Sequence, residues 1–498
     1  MSKKNRQTDI SKNNRHVKKY MTAHMGIDTS YDVGVRDFSI LKTNVQIYYV
    51  NGLVDDLTVG ELTKVLVSIN DNEPDTNSAY KVIKNRLNNL QVETIQSMDE
   101  AVDQILSGLI VIFIDGYDDA FVVDLRSYPG RQPEEPDTER VIRGARDGYT
   151  ENIVLNTALT RRRVRDERLR NEMMKVGERS KTDVCVSYLQ DVADDGLVKL
   201  TKDKIKSIEI DGIPMADKTV EEFIVAQKWN AFPLVRYTER PDIAAQHLLQ
   251  GHVVVLVDTS PSIIILPTTF LDHMEHAEEY RQSPAVGTLM RLIRFMAMLS
   301  SIFLLPLWFL FVQEPNLLPA DLSFIGPNEE GNIPIIVQII LAIVGMQFLR
   351  MAAIHTPTAL ATAMGLIAAV LIGDIAVDVG MFSPEVILYV AISTIGSYVT
   401  PSYELSVANK FIEMFLLLMT ATFGSIGFIV GFTVSILYLA HVKALETPYL
   451  WPFIPFDAKA FMQIMFRIPV PYTNVRPAIV NPKNVYSQPV KKKLKTPK

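Results

Sequence analysis

Polar and apolar positions are distributed unevenly along this chain. Through residues 1–288, short apolar runs alternate with charged stretches; residues 295–440 are dominated by long uncharged segments. Phe295–Val312 (FMAMLSSIFLLPLWFLFV) is 18 residues without a charge. At about 1.5 Å per residue that crosses a hydrocarbon core of roughly 30 Å. Four more apolar segments follow. Ile333–Leu349 is strongly apolar, and Thr356–Gly373 is weakly hydrophobic and rich in Ala, Thr and Gly. Val386–Val399 is about 14 residues long, and Met414–Ala440 has 27 uncharged residues interrupted by Gly424, Gly427 and Gly431.

In the first part, helix and strand signals alternate from about Val35 to Met274. Gln46–Val50 is a short apolar run, Val59–Asn70 and Ser78–Asn89 read as helices, and Asp99–Leu106 leads into the next segment. Leu109–Ile114 reads as a buried strand, with Phe121–Leu125 as its hairpin partner. The same phrase recurs. Ile105–Gly108, Leu109–Ile114 and Asp115 match Leu248–Gly251, His252–Val257 and Asp258, an offset of 143 residues from Ile105 to Leu248, with Ser262–Leu266 as the second partner strand. Both copies read as helix end, glycine cap, strand, Asp turn, strand. The expected fold is an α+β membrane protein: a cytoplasmic head of two similar α/β subdomains, then a bundle of about four to five transmembrane or re-entrant helices. The expected divisions are a basic disordered tail (1–34), a first α/β subdomain (35–130), a charged linker with an Arg-rich helix (131–180), a second α/β subdomain (181–288), a transmembrane domain (289–445) and a C-terminal segment with a basic tail (446–498).

Charge orients this picture. Met1–Tyr20 carries seven Lys or Arg and no apolar run, so no cleavable leader is expected. Arg291 and Arg294 flank the first span. The loop Gln313–Asn332 holds Glu314, Asp321, Glu329 and Glu330 with no Lys or Arg. The positive-inside rule then puts the head in the cytoplasm, and Lys491–Lys493 with Lys495 puts the C-terminus there too. An even number of crossings follows. The short Val386–Val399 is the first candidate for a re-entrant or interfacial segment; the alternative splits Met414–Ala440 into a helical hairpin. The small residues of Thr356–Gly373 allow close helix approach or line a pore. Arg350, His355, Thr356, Thr358, Thr362, Asp374 and Asp378 are therefore the candidate polar pathway, and Asp374 with Asp378 could form an acidic, cation-selecting ring. Glu404 and Glu413 also sit near segment ends; interface anchoring is the competing reading for all such charges.

Leu159–Val176 (LTRRRVRDERLRNEMMKV) reads as a helix. Its arginines suit either a solvated face or an interface, and Arg161, Arg162, Arg163 and Arg165 are candidate oligomer contacts. The net charge of −6 argues against nucleic acid as a principal partner. Cys185 is the only cysteine, which excludes an internal disulfide framework and a Cys-rich metal site. No phosphate-binding, dinucleotide, zinc-protease or hydrolase motif is present, so no enzyme, cofactor or metal is expected.

Several stretches resemble the A subunit of the spore germinant receptor family of endospore-forming bacteria. They are Val141–Gly144 with Arg146–Gly148, Asn156–Arg163 (NTALTRRR), Arg179–Thr182, Asp211–Ile213, Tyr237–Asp242 (YTERPD), Glu279–Tyr280, Phe348–Pro357 (FLRMAAIHTP) and Tyr398–Glu404 (YVTPSYE). The likeness runs from about Val35 to Val470. Ala277–Gly287, Leu322–Asn328 and Thr447–Phe456 point to one branch of that family. The resemblance implies a germination complex of the inner spore membrane, with A subunits in a homo-oligomeric, pentameric ring around an ion-conducting pore. It also implies other germination membrane proteins as partners and monovalent cations as the conducted species. A non-conducting scaffold that clusters receptors is the alternative.

Overall fold

The structure, a computed structural model, describes residues 8–74, 78–87, 92–125, 139–225, 227–319, 321, 325–327, 332–355 and 375–488, with only the backbone of 354 and 355. The chain forms two compact units. One comprises 1–228, 235–267 and 469–498, and the other 229–234 and 268–468.

The first unit holds two five-stranded antiparallel sheets of identical topology. In the first sheet β1 (Val33–Ile40), β2 (Thr43–Val50), β3 (Val92–Ile95), β4 (Ile110–Ile114) and β5 (Ala120–Val123) lie in the order β1-β2-β4-β5-β3. In the second, β6 (Leu169–Val176), β7 (Thr182–Leu189), β8 (Arg236–Thr238), β9 (Val253–Val257) and β10 (Ile263–Leu266) repeat it as β6-β7-β9-β10-β8. The glycines between helix and strand, Gly108 and Gly251, both have positive φ (88° and 107°), as a left-handed helix cap requires.

Both faces of the first sheet are covered. Helices α1 (Asn14–Met25) and α5 (Met98–Leu106) pack on Val111 and Phe113 from one side. Helices α2 (Asp56–Val67) and α4 (Ala79–Leu87) pack on Ile110, Ile112 and Ile114 from the other, with α3 (Ile69–Asn72) between them in sequence. This is why β4 is an unbroken apolar run, since every one of its side chains is buried. Each contributes about 1.5–3 kcal/mol relative to exposure. The second sheet is served by α6 (Ile153–Arg163), α7 (Asp195–Lys206), α8 (Ala216–Val225) and α9 (Pro241–Gln250).

Two expectations fail here. The basic tail is not a disordered lead through residue 34, because Asn14–Met25 is a helix. Its Val17, Met21 and Met25 recur every four residues and are buried in the first core. The lysines and arginines occupy its other face, so residue counts concealed an amphipathic helix. The Arg-rich segment is not one helix over Leu159–Val176 either. Helix α6 stops at Arg163, and Leu169–Val176 is β6, paired along its whole length with β7. Between them Asp166 accepts bonds from the Arg168 amide (2.8 Å) and guanidinium, which turns the chain. Eight cross-strand pairs outweigh the modest helical preference of Arg, Glu and Met.

The second unit is mainly helical: α10 (Ala277–Arg281), α11 (Pro284–Gln313), α12 (Ile335–His355), α13 (Ala376–Asp378), α14 (Pro384–Tyr398), α15 (Tyr403–His441) and α16 (Ala458–Met465), with a two-stranded ladder β11 (Lys443–Ala444) and β12 (Thr447–Pro448). Among the described residues, three helices are long and apolar enough to cross a membrane: Pro284–Gln313, Ile335–Ala353 and Tyr403–His441. Helix α14 runs antiparallel to α11. Trp308 stacks on Tyr389 (4.7 Å between ring centres), and Ser393 lies against the Ser301 carbonyl. Helix α15 is not straight. Gly424 has φ 61° and ψ −139°, and a side chain placed on Gly431 would touch Leu416 (3.1 Å) and Met419 (3.3 Å). Fifteen residues of continuous helix would separate Leu416 from Gly431 by roughly 22 Å. The chain therefore reverses at Gly424, giving a tight hairpin of two arms, so the split of Met414–Ala440, the second of the two alternatives, is the one observed.

Candidate functional site: a polar seam in the helical unit

Lys410 and Glu413 are three residues apart, on one face of the first arm of α15, and both are buried. Lys410 Nζ lies 2.7 Å from Glu413 Oε2 and donates to Ser393 Oγ of α14 (3.1 Å). Ser393 in turn donates to Glu413 Oε1 (2.6 Å). The triangle is closed, so each of the two buried charges has a partner to offset its desolvation. One turn earlier, Asn409 is buried, and neither atom of its amide has a hydrogen-bond partner among the described residues. The seam continues to Ser397 and Ser406, whose hydroxyls meet at 2.8 Å. Arg350 of α12 donates to Ser406 Oγ (3.0 Å) and lies over the rings of Tyr398 (5.1 Å) and Tyr403 (4.5 Å).

Each end of the bundle carries a further charged device. At the hairpin turn, Glu314 Oε1 accepts the Ser425 amide (2.7 Å), so a carboxylate caps the N-terminus of the returning arm. At the other end, buried Glu279 pairs with both Arg291 and Arg294. Arg291 also donates to the carbonyls of Gln463 (3.2 Å) and Ile464 (2.9 Å), and Arg294 to that of Met274 (3.0 Å). The two arginines that flank the first span are thus buried and paired within the chain.

The candidate pathway residues divide. Arg350 joins the seam. Asp378 is exposed at the end of α13, away from the Lys410 triangle's hydrogen bonds. The backbone of His355 closes α12. Thr356, Thr358, Thr362 and Asp374 lie outside the described residues. Lys410 was missed, because a lysine three residues before Glu413 reads as an ordinary helix-end pair. The signal available was that both fall within the last turn before a run of 27 uncharged residues.

The candidate oligomer arginines divide as well. Arg161 cannot contact another molecule, because it is buried inside the head, with Nε 3.0 Å and Nη2 3.3 Å from Asp32. It also donates to the carbonyls of Asp166 and Leu169, while Asn171 donates to Asp32 at 2.9 Å. Arg163 is half-buried and paired with Asp147. Arg162 and Arg165 are exposed. Cys185 is buried, and burial pushes its thiol well above the ordinary range, so it is no nucleophile at neutral pH.

Comparison with known proteins places these features. The sequence pattern described as "Bacillus/Clostridium GerA spore germination protein" matches residues 19–479. Stage V sporulation protein AF of Bacillus subtilis (strain 168) is 58% identical over 470 residues, covering 94% of this chain and 95% of that protein. Spore germination protein KA of the same organism is 27% identical over 452 residues, covering 89% and 82%. The crystal structure of the N-terminal domain of the A subunit of the Bacillus megaterium spore germinant receptor GerK3 aligns with 52% of this chain and 97% of that chain, at 25% identity and a TM-score of 0.42. A family pattern spanning almost the whole chain, with a relative this similar over nearly its full length, means that the chain belongs to the GerA family of Bacillus/Clostridium spore germination proteins.

Proposed function

We propose that this chain is a subunit of the germination apparatus in the inner spore membrane, that it assembles into a homo-oligomeric ring, and that the ring releases monovalent cations during germination. The head and the C-terminus face the cytoplasm in this reading. The observation that carries it is the buried Lys410–Glu413–Ser393 seam inside a bundle of mainly apolar helices. Ionisable groups at such depth are expensive, and they mark ion pathways or the elements that gate them. Helices α12 and α14 run parallel: Gln338 lies beside Ser383 at one end, and Arg350 beside Tyr398 at the other. Thr356–Gly373 lies outside the described residues; its sequence supplies the small side chains that suit a ring axis.

The test is potassium release from vesicles holding the purified full chain, alone and with a co-purifying germination membrane protein. Flux is expected, and Thr358→Trp and Thr362→Trp should reduce it at least tenfold. Absence of flux under both conditions rejects conduction. The competing reading is a non-conducting scaffold that clusters receptors. In its favour, Lys410 and Glu413 are satisfied by each other and by Ser393.

A further inference from the structure

The segment after the hairpin is built unlike its surroundings. Helix α16 is capped by Asp457, whose carboxylate accepts the amides of Lys459 and Ala460 (both 3.0 Å). Its inner side is anchored to the start of α11. Arg291 holds the carbonyls of Gln463 and Ile464, the Arg467 amide donates to Thr288 Oγ1 (3.1 Å), and the Arg467 guanidinium donates to the Tyr280 carbonyl (2.8 Å). Its outer side leaves Met462 and Phe466 exposed, with Phe456 just ahead at 69% exposure. From residue 458 to residue 468 there are two basic side chains, Lys459 and Arg467, and no acid.

Helix α16 is thus anchored a few residues before the uncharged run Phe295–Val312 begins, and on the side of α11 turned away from Arg291 the side chains of Leu289, Ile293, Met296 and Leu299 are also exposed at helical spacing. The loop beside the end of α15 adds a fully exposed Trp229. It is held there by Tyr438, which donates to Asn230 at 2.8 Å, and by Phe232 packed on Tyr438. An aromatic side chain left in water at the level where an apolar helix run begins is the arrangement of a membrane–water boundary.

We propose that Phe456–Phe466, together with Trp229, is an interfacial foot that lies in the headgroup–acyl boundary of an anionic bilayer. Its apolar face enters the lipid, while the exposed Lys459 remains at headgroup level. This rests on the reading of the helical unit as membrane-embedded. The foot adds binding energy through apolar burial and attraction to anionic lipid. It also ties the membrane surface to the Glu279–Arg291–Arg294 cluster, because Arg291 contacts both.

The full chain, with Cys185→Ala as background, would carry an environment-sensitive fluorophore at Met462→Cys, Phe456→Cys, Leu299→Cys or Glu61→Cys. Each labelled protein would be reconstituted in vesicles of phosphatidylcholine and phosphatidylglycerol. The expected result is quenching of 462 and 456 by lipids brominated near the headgroup. Leu299 should respond to lipids brominated deep in the chain, and Glu61, exposed in the first unit, only to aqueous iodide. Iodide quenching at 462 and 456 with lipid quenching at 299 overturns the foot and leaves the membrane reading intact. Shielding of 462 and 456 from both quenchers means that another copy of the chain covers this face, and it too overturns the foot. Iodide quenching at 299 rejects the membrane reading, and the foot with it.

Discussion

Arg161 and Lys410 show how a charge is committed by its neighbours. Arg161 spans from α6 to Asp32, which directly precedes β1, so one guanidinium joins the two α/β repeats. Removing one member of a buried pair costs about 3–5 kcal/mol, since the other stays buried and uncompensated. Arg161→Met is therefore expected to speed hydrogen exchange of the β1 and β6 amides in the solubilised chain, and Asp32→Leu added to it should recover part of the loss. An unchanged exchange pattern in the single variant would contradict the pairing. The histidines of the second repeat titrate abnormally. His252 is buried and its pKa is pushed down to about 4, with His247 also lowered, by burial first and then by neighbouring charge that includes Arg236. In the unfolded chain both would take up protons near pH 6.5. Stability of the first unit is therefore full above about pH 6.5 and falls as the pH drops from there toward 4. Thermal melts followed between pH 7 and pH 4 should show this slope, and His252→Phe should flatten it. None of these partners could be read from the chain order: Asp32 and Arg161 are 129 positions apart.

Single elements are where the pattern of apolar positions was most informative. The strands β4 and β9 and their glycine-capped helices follow from short-range composition, and the repeat between them is borne out by two sheets of the same strand order. Strand β6 was misread because its eight-residue pairing with β7 is not a local property. Helix α1 was missed because four-residue spacing of Val17, Met21 and Met25 is a weak signal among basic residues. The hairpin of α15 depends on one residue. Gly424 adopts a positive-φ conformation that essentially only glycine reaches, and a Cβ there would also meet the Glu314 carboxylate. Gly424→Ala should cost about 1–3 kcal/mol in backbone strain, read as a lower melting temperature of the solubilised protein. Glu314→Ala added to it should not restore stability, because the strain lies in the backbone rather than the contact.

For the molecule as a whole, the ring proposal makes a direct demand. Native mass spectrometry of the full chain in detergent should give one closed oligomer, a pentamer in the expected form, and Arg162→Glu with Arg165→Glu should shift it toward smaller species if these exposed arginines meet a neighbour. A monomer under all conditions would remove the ring. The length of each apolar segment, the duplicated helix–strand phrase and the glycine at the hairpin turn were legible in the chain alone. Hydrophobic length, strand period and backbone permissiveness are properties of short stretches, and they survive without knowledge of the fold. Which charges are free was not legible. Arg161 read as an oligomer contact, Arg291 and Arg294 as charges flanking a span, and Lys410 went unread, yet all four are buried against acids. Burial and pairing arise only when distant segments pack, because a charge leaves water where a compensating group is already held in place.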